Sequence, residues 1–443
     1  MSKVHVVGSG LVGSLMAIFL ARKGYEVELY ERRADMRKAG AAGGRSINLV
    51  ITSRGLQAVR QVGLEERIME ITIPMKGRML HDREGKTTFV PYGQKAHEVI
   101  NSISRGDLNN LLMDAVEEYP NVNLHFDKRC SHYDLATGLL SFDDGQTVET
   151  EVVIGADGSF SAVRRAMLDQ VQNFNYNQQF LEHGYKELSI PAAPDGGFAM
   201  GREYLHIWPR ESYMLIALPN LDGSFTCTLF YPYEGEQSFA NVNTAEEVME
   251  FFRRDFPDAV PLMPELVDDY SANPVGSLVT VRCSPWYVGG KVLLIGDASH
   301  AIVPFFGQGM NSGFEDCRVL GEMIPEASEK TDWADIFARF QQARLDNAEA
   351  IADMALENFV EMRDSTAEPD FQLKKQVGFE LERRFPEKFI PRYSMVMFHP
   401  DIPYAEARRR SEQQARLLSE LCRGLKTVDE VDWEKAKSLV AAL

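Results

Sequence analysis

Apolar residues along this chain fall into runs of two distinct periods. Residues 4–7 (VHVV) are almost wholly apolar, as in a strand covered on both faces. Glycines follow, then apolar positions at helical spacing (Leu15, Ile18, Phe19), then a second short run at 27–30. This predicts strand, helix, strand. Residues 291–295 form another buried strand, ended by Gly296-Asp297 and followed by a loop with Pro304, Gly307 and Gly309; a helix starts from about Asn311. Strand-like pieces at 77–81 and 87–91 flank a turn, and 100–105 runs into a helix over 106–118. Strands at 122–126 and 152–154 bracket a hairpin within 139–150.

From 176 to 281 the period shortens to two. Segments 184–190, 204–208, 213–217, 225–230 and 275–281 predict an antiparallel sheet, interrupted by a helix at 245–252. The aromatics Tyr204, Trp208, Tyr213, Phe225, Phe230 and Tyr231 read as its core. Beyond Cys317 the pattern is helical, over 333–361, 372–384 and 404–422. The short basic run 408–410 reads as a solvated helix face.

Composition narrows the class. The 443 residues are 44% hydrophobic and 25% charged, an ordinary globular profile long enough for two or three packed units. A net charge of −18 disfavours nucleic acid as a partner. No apolar run is long enough to span a bilayer, and no signal-peptide pattern precedes the first strand. Five scattered cysteines, with no CxxC pair, predict reduced thiols and no metal site.

The chemistry begins at Gly8-Ser9-Gly10-Leu11-Val12-Gly13. A GxGxxG between a strand and a helix, with Glu31 ending the next strand, predicts a dinucleotide site. Gly8 permits the tight turn, Gly10 admits a pyrophosphate, and Gly13 lets helix and strand pack; Glu31 is suited to ribose hydroxyls and repels a 2′-phosphate. The adenosine therefore belongs to FAD or NAD. Arg45 in the Gly-rich loop 40–50 and Arg105 at a strand–helix junction are candidate phosphate contacts. Gly155-Ala156-Asp157-Gly158 repeats the strand–turn–helix logic, and Gly296-Asp297 with the helix start near Asn311 suits an anion or an electron-rich ring.

Taken in order, these three signals resemble the single-component FAD aromatic hydroxylases of the para-hydroxybenzoate hydroxylase group. A narrower similarity, to the kynurenine 3-monooxygenase family, rests on GLVGSL at 10–15, GRSINL at 44–49, PYG at 91–93, YLHIWPR at 204–210, HAIVPFFGQGMN at 300–311, GFEDC at 313–317, ENFVEMRD at 357–364 and FIPRYSMVMF at 389–398. It covers nearly the whole chain and is weakest at 235–275 and after 400.

The resemblance implies an α/β protein: a Rossmann-type FAD-binding domain (1–75, 100–175 and 276–325), an inserted antiparallel β-sheet substrate domain (76–99 and 176–275), and a C-terminal α-helical region (326–443) closing the active site. It implies FAD held by Gly8, Gly10, Leu11, Val12, Gly13, Tyr30, Glu31, Arg32, Arg33, Arg45, Val50, Arg105, Cys130, Asp157, Ala162, Asp297, Gly309, Met310 and Asn311. L-kynurenine would be bound by Arg78 at its carboxylate, by Tyr92, Asn358 and Tyr393, and at its ring by Phe305 and Phe306. The implied reaction uses NADPH and O2, passes through a flavin C4a-hydroperoxide and yields 3-hydroxy-L-kynurenine. It needs no metal and no catalytic side chain, and His300 is expected to be structural. A soluble cytoplasmic, bacterial member is implied, as monomer or homodimer, because the membrane anchor of the animal members does not follow. The alternatives are an FAD hydroxylase of another aromatic acid, a flavin reductase or oxidase without oxygen insertion, and a non-catalytic flavoprotein redox module.

Overall fold

The computed structural model describes residues 3–38, 47–362 and 369–443. Five strands, ordered Val292–Leu294, Val153–Gly155, Lys3–Val7, Glu26–Tyr30 and Val122–His125, lie parallel; Tyr287–Val288 adds an antiparallel edge. Parallel strands are joined by crossovers that cover both faces, so they read as continuous apolar runs rather than alternations. The helix Leu11–Arg22 is buried at every residue from Gly13 to Ala21, which is why its apolar stripe is so wide. These elements belong to one compact unit, Met1–Thr72, Ile103–Leu181 and Leu278–Ala352. The predicted hairpin in it gains a third strand, Cys130–Asp134.

The second unit comprises Ile73–Ser102, Glu182–Ser277 and Asp353–Leu443. Its sheet runs Phe225–Pro232, Tyr213–Pro219, Tyr204–Arg210, Gly77–His81 and Thr87–Pro91, with Asn175–Ile190 and Gly276–Ser284 beyond Phe225–Pro232. One pairing corrects the antiparallel expectation: Tyr204–Arg210 and Gly77–His81 are parallel, with Leu205 opposite Arg78. The two strands come from segments far apart in sequence, so no hairpin forces them to oppose each other. Asn175–Ile190 has 16 residues, longer than predicted, because its first half, NYNQQFLE, is mostly polar and its apolar residues follow no regular alternation.

Alternation gives the strand Gly77–His81 two faces. His81 faces an aromatic core: its ring lies 4.1 Å from that of Trp208, its Nδ1 2.7 Å from Asp258 Oδ2 and its Nε2 2.9 Å from His206 Nδ1. The core continues through Tyr213, Phe225 and Tyr231 to Phe251 and Phe252 of the helix Ala245–Asp255, which opens on a Thr244/Glu247 capping box. Arg78 projects from the opposite face.

The helices Pro369–Arg384 and Tyr404–Leu421 pack through Leu373, Val377, Leu381, Leu417 and Leu421. In the second unit the helices Leu266–Ala272, Arg392–Phe398 and Trp433–Ala441 were not predicted from the sequence. Arg409 and Arg410 pair with Glu406 on their own helix, but Arg408 is not simply solvated, since it pairs with Asp353. All five cysteines are buried free thiols. Among the described residues no helix is long and apolar enough to cross a membrane, and no side-chain cluster suits a metal.

Candidate active site

In the first unit the three glycines of the opening loop each meet a different steric demand. Gly8 has φ +101°, and a Cβ there would lie 2.6 Å from the Ala156 carbonyl oxygen. At Gly13 a Cβ would lie 1.8 Å from the Gly8 carbonyl oxygen, whereas at Gly10 it would meet nothing within 4 Å. Gly10 therefore faces open space. The helix behind it has no side-chain cap and no acidic residue in its first turn, so its N-terminal N–H groups and positive dipole end are open to an anion. We expect Gly13→Ala to purify without flavin, read as loss of visible absorbance, because the added methyl displaces the loop from its helix.

Glu31 also braces this loop. Its Oε2 accepts from the Ser9 backbone N–H at 3.2 Å, and its Oε1 accepts from the Arg33 backbone N–H and Nε at 3.0 and 3.1 Å. Among the described residues the Ser9 hydroxyl is buried without a hydrogen-bond partner, as expected where a polar ligand belongs. Tyr30 is buried, its ring 5.1 Å from that of His125, and Arg32 is exposed. Arg45 lies outside the described residues.

Asp157 accepts from Ser161 Oγ at 2.5 Å and from the Ala162 backbone N–H at 2.7 Å, so it fixes the start of the helix Ala162–Gln170. Burial raises its pKa against those bonds. Asp297 follows Gly296 (φ +57°) and is exposed. Desolvation raises its pKa, while the cation of Arg105 pulls the other way. Cys130 is buried, its thiol pushed up to about 12 by desolvation.

Phe305 and Phe306 sit buried in the turn Pro304–Phe306. Asn311 locks the next helix, Gly309–Met323, to a neighbouring strand: its Nδ2 donates to the carbonyls of Val50 (2.7 Å) and Gly307 (2.9 Å), and its Oδ1 accepts from the Thr52 N–H at 2.9 Å. This helix too has no acidic first turn and no side-chain cap.

The interior of that helix carries a buried charge network the sequence did not reveal. Arg54 Nη1 lies 3.0 Å from Glu315 Oε1, and Arg344 donates to Glu315 (2.5 Å) and Asp316 (2.7 Å). Asp316 Oδ2 also accepts from His300 Nε2 at 2.6 Å and from the Gly296 N–H at 3.0 Å. Asp316 thereby ties the Gly296-Asp297 turn to this helix. Its pKa falls to about 2 despite desolvation, through His300 and Arg344. Two adjacent acids inside an otherwise well-buried helix were the available signal.

In the second unit Arg78, Tyr92 and Tyr393 form one cluster. The Tyr92 and Tyr393 rings stack at 5.2 Å, and the Arg78 guanidinium carbon is 5.8 and 5.3 Å from their centroids. Among the described residues, Arg78 Nε and the Tyr92 hydroxyl are buried without a hydrogen-bond partner of good geometry. Desolvation pushes the Tyr92 phenol up to about 12, so it is a neutral donor at working pH. Asn358, 2% exposed near the end of the helix Trp333–Val360, has its Nδ2 3.3 Å from Met362 Sδ. Glu361, three residues on, is paired with Arg392 at 2.7 Å. Phe305 and Phe306 belong to the first unit, Arg78, Tyr92, Asn358 and Tyr393 to the second.

A family model described as an FAD binding domain matches residues 1–355. The Myxococcus xanthus (strain DK1622) kynurenine 3-monooxygenase is 49% identical over 442 residues, covering 99% of this chain and 94% of its own. The chain belongs to the kynurenine 3-monooxygenase family. The Stenotrophomonas maltophilia (strain K279a) kynurenine 3-monooxygenase is 44% identical over 99% of this chain and 96% of its own. Among solved structures, 2-methyl-3-hydroxypyridine-5-carboxylic acid oxygenase aligns with TM-score 0.68 at 18% identity, over 86% of this chain and 98% of that one. Tetracycline destructase Tet(51) aligns with TM-score 0.61 at 21% identity, over 82% and 91%. These two share the fold of this chain. The glycine cradle, the open helix start and the unpartnered Ser9 hydroxyl fit the FAD that this family binds.

Proposed function

We propose that this chain hydroxylates L-kynurenine at the ring carbon beside the amino group, consuming NADPH and O2 and releasing 3-hydroxy-L-kynurenine, NADP+ and water. Bound FAD supplies the electron transfer from NADPH and the activation of O2, chemistry that protein side chains lack. In this reading Gly8, Gly10, Gly13 and Glu31 position its adenosine end, and Asp157, Asp297, Arg105 and Met310 lie along its length. Asn311 holds the helix Gly309–Met323 with its N-terminus available to negative charge.

The observation that carries the substrate assignment is the buried pair of unpartnered groups, Arg78 Nε and the Tyr92 hydroxyl. Buried donors that lack acceptors call for an anionic partner. A guanidinium clasps a carboxylate through two parallel hydrogen bonds, and the α-carboxylate of an amino acid fits that role. Asn358 and Tyr393, of the same unit as Arg78, complete the grip on the amino-acid head. The same reading takes the enzyme to be soluble and cytoplasmic, as a monomer or homodimer.

Added L-kynurenine is expected to accelerate NADPH oxidation by the purified flavoprotein and to yield 3-hydroxykynurenine in near-equal amount by chromatography. NADPH consumption that ignores kynurenine, or that yields only hydrogen peroxide, would overturn the assignment.

A further inference from the structure

One charged side chain in the second unit has no place in the reading so far. Lys375 lies on the helix Pro369–Arg384, whose apolar face packs through Leu373, Val377 and Leu381. A second, polar face is turned inward as well. Glu382, only 6% exposed, accepts from Gln94 Nε2 at 2.6 Å, two residues from Tyr92. Lys375 is seven residues earlier, two turns along the same face and about 10 Å away along the helix axis. Its stem therefore runs along the side of the helix that meets the Tyr92 loop.

The charges around Lys375 are unbalanced. Arg78 of the strand Gly77–His81 acts on it as a like charge, and Glu361, at the end of the long helix, as an opposite one. Glu361 is already paired with Arg392, so its attraction is largely satisfied. Tyr92 and Tyr393, the other titratable groups of the cluster, are neutral phenols with raised pKa values. Among the described residues Lys375 forms no ion pair or hydrogen bond, and its nearest ring partner is Phe379, 5.9 Å from Nζ. A lysine on a protein surface rarely lacks water, and one under cover rarely lacks an anion. Lys375 is partly covered, and among the described residues no anion pairs with it.

We propose that Lys375 is a second cationic ligand for the substrate carboxylate, joining Arg78 as the carboxylate enters. The inference rests on Arg78 binding that carboxylate. In the free enzyme, desolvation and Arg78 lower the Lys375 amine to about 7. An arriving carboxylate supplies the missing negative charge and raises it again. Between those two values substrate binding takes up a proton from solvent onto Nζ, so binding weakens as pH rises above about 7, by at most about tenfold per unit. The sign follows because a group with the higher pKa in the complex is protonated by binding.

Calorimetric titration of the oxidised holoenzyme with L-kynurenine near pH 8, in buffers of different ionisation enthalpy, reads proton uptake directly. The wild-type enzyme should take up a substantial fraction of one proton. Lys375→Met should take up none and show a KM raised about tenfold at pH 7, with kcat changed less than twofold and FAD content intact. Lys375→Arg, which stays charged, should keep a low KM and lose its rise above pH 7. Wild-type proton uptake and KM in Lys375→Met would overturn the proposal, as would a KM for Lys375→Arg that climbs with pH as before. If wild-type enzyme neither binds nor hydroxylates L-kynurenine, the functional reading itself has failed, which the first titration distinguishes.

Discussion

Replacing Arg78 with alanine raises the KM for L-kynurenine by about two orders of magnitude and leaves FAD content at the wild-type level. A charge-assisted pair to a carboxylate contributes roughly 1.5–3 kcal/mol, and about 1.4 kcal/mol corresponds to a tenfold change in affinity. Arg78 is 8% exposed, so water cannot replace the lost donors well. The free protein, in contrast, loses a buried cation for which only the more distant Glu361 supplies an opposite charge among the described residues, and its stability should fall little. Steady-state kinetics and flavin absorbance on the same preparation separate the effects. An equal fall in flavin content and substrate affinity would place Arg78 in the framework and remove it from the substrate site.

The second large effect is expected far from any substrate. Arg344→Met deletes the cation shared by Glu315 and Asp316, which are 5% and 0% exposed. Breaking a buried ion pair by removing one partner costs roughly 3–5 kcal/mol, because the other charge stays behind in low dielectric. The variant should unfold at much lower denaturant concentration and lose FAD, since Asp316 also holds the Gly296 N–H beside Asp297. Acid sensitivity provides an independent check. Asp316 titrates near 2 when folded, below its ordinary value of about 4. Its contribution is complete above about pH 4 and is lost as pH falls through about 2. Without Arg344 its folded pKa rises, so acid unfolding should begin at higher pH. An unchanged acid-unfolding midpoint in Arg344→Met would mean His300 and Gly296 suffice.

The dinucleotide-binding opening was legible because its signal is local. Gly8 and Gly13 are required by backbone closeness within a few residues, and such needs write themselves into sequence. The parallel pairing of Gly77–His81 with Tyr204–Arg210 was not legible, because alternation reports which face a residue takes and is silent about its neighbouring strand. Arg54 and Arg344 were missed for a related reason. Each is an ordinary helical arginine until the fold sets it against Glu315. Arg78 could be singled out only through the family resemblance, and its stacking environment of Tyr92 and Tyr393 joins segments that no period connects. Lys375 carried no signal at all, since a lysine on an amphipathic helix is the commonest of surface residues.

The strand Gly77–His81 also suggests a route to altered selectivity. Arg78 reaches for a ligand from one side, while His81, wedged between Asp258, His206 and Trp208, is anchored on the other. The handle and its counterweight are three residues apart on a single rigid strand. Remodelling the hidden side, at Met79 or His206, would therefore re-aim Arg78 without altering a single atom that meets the ligand. Variants selected for new aromatic amino acids should accumulate there as readily as in the pocket lining.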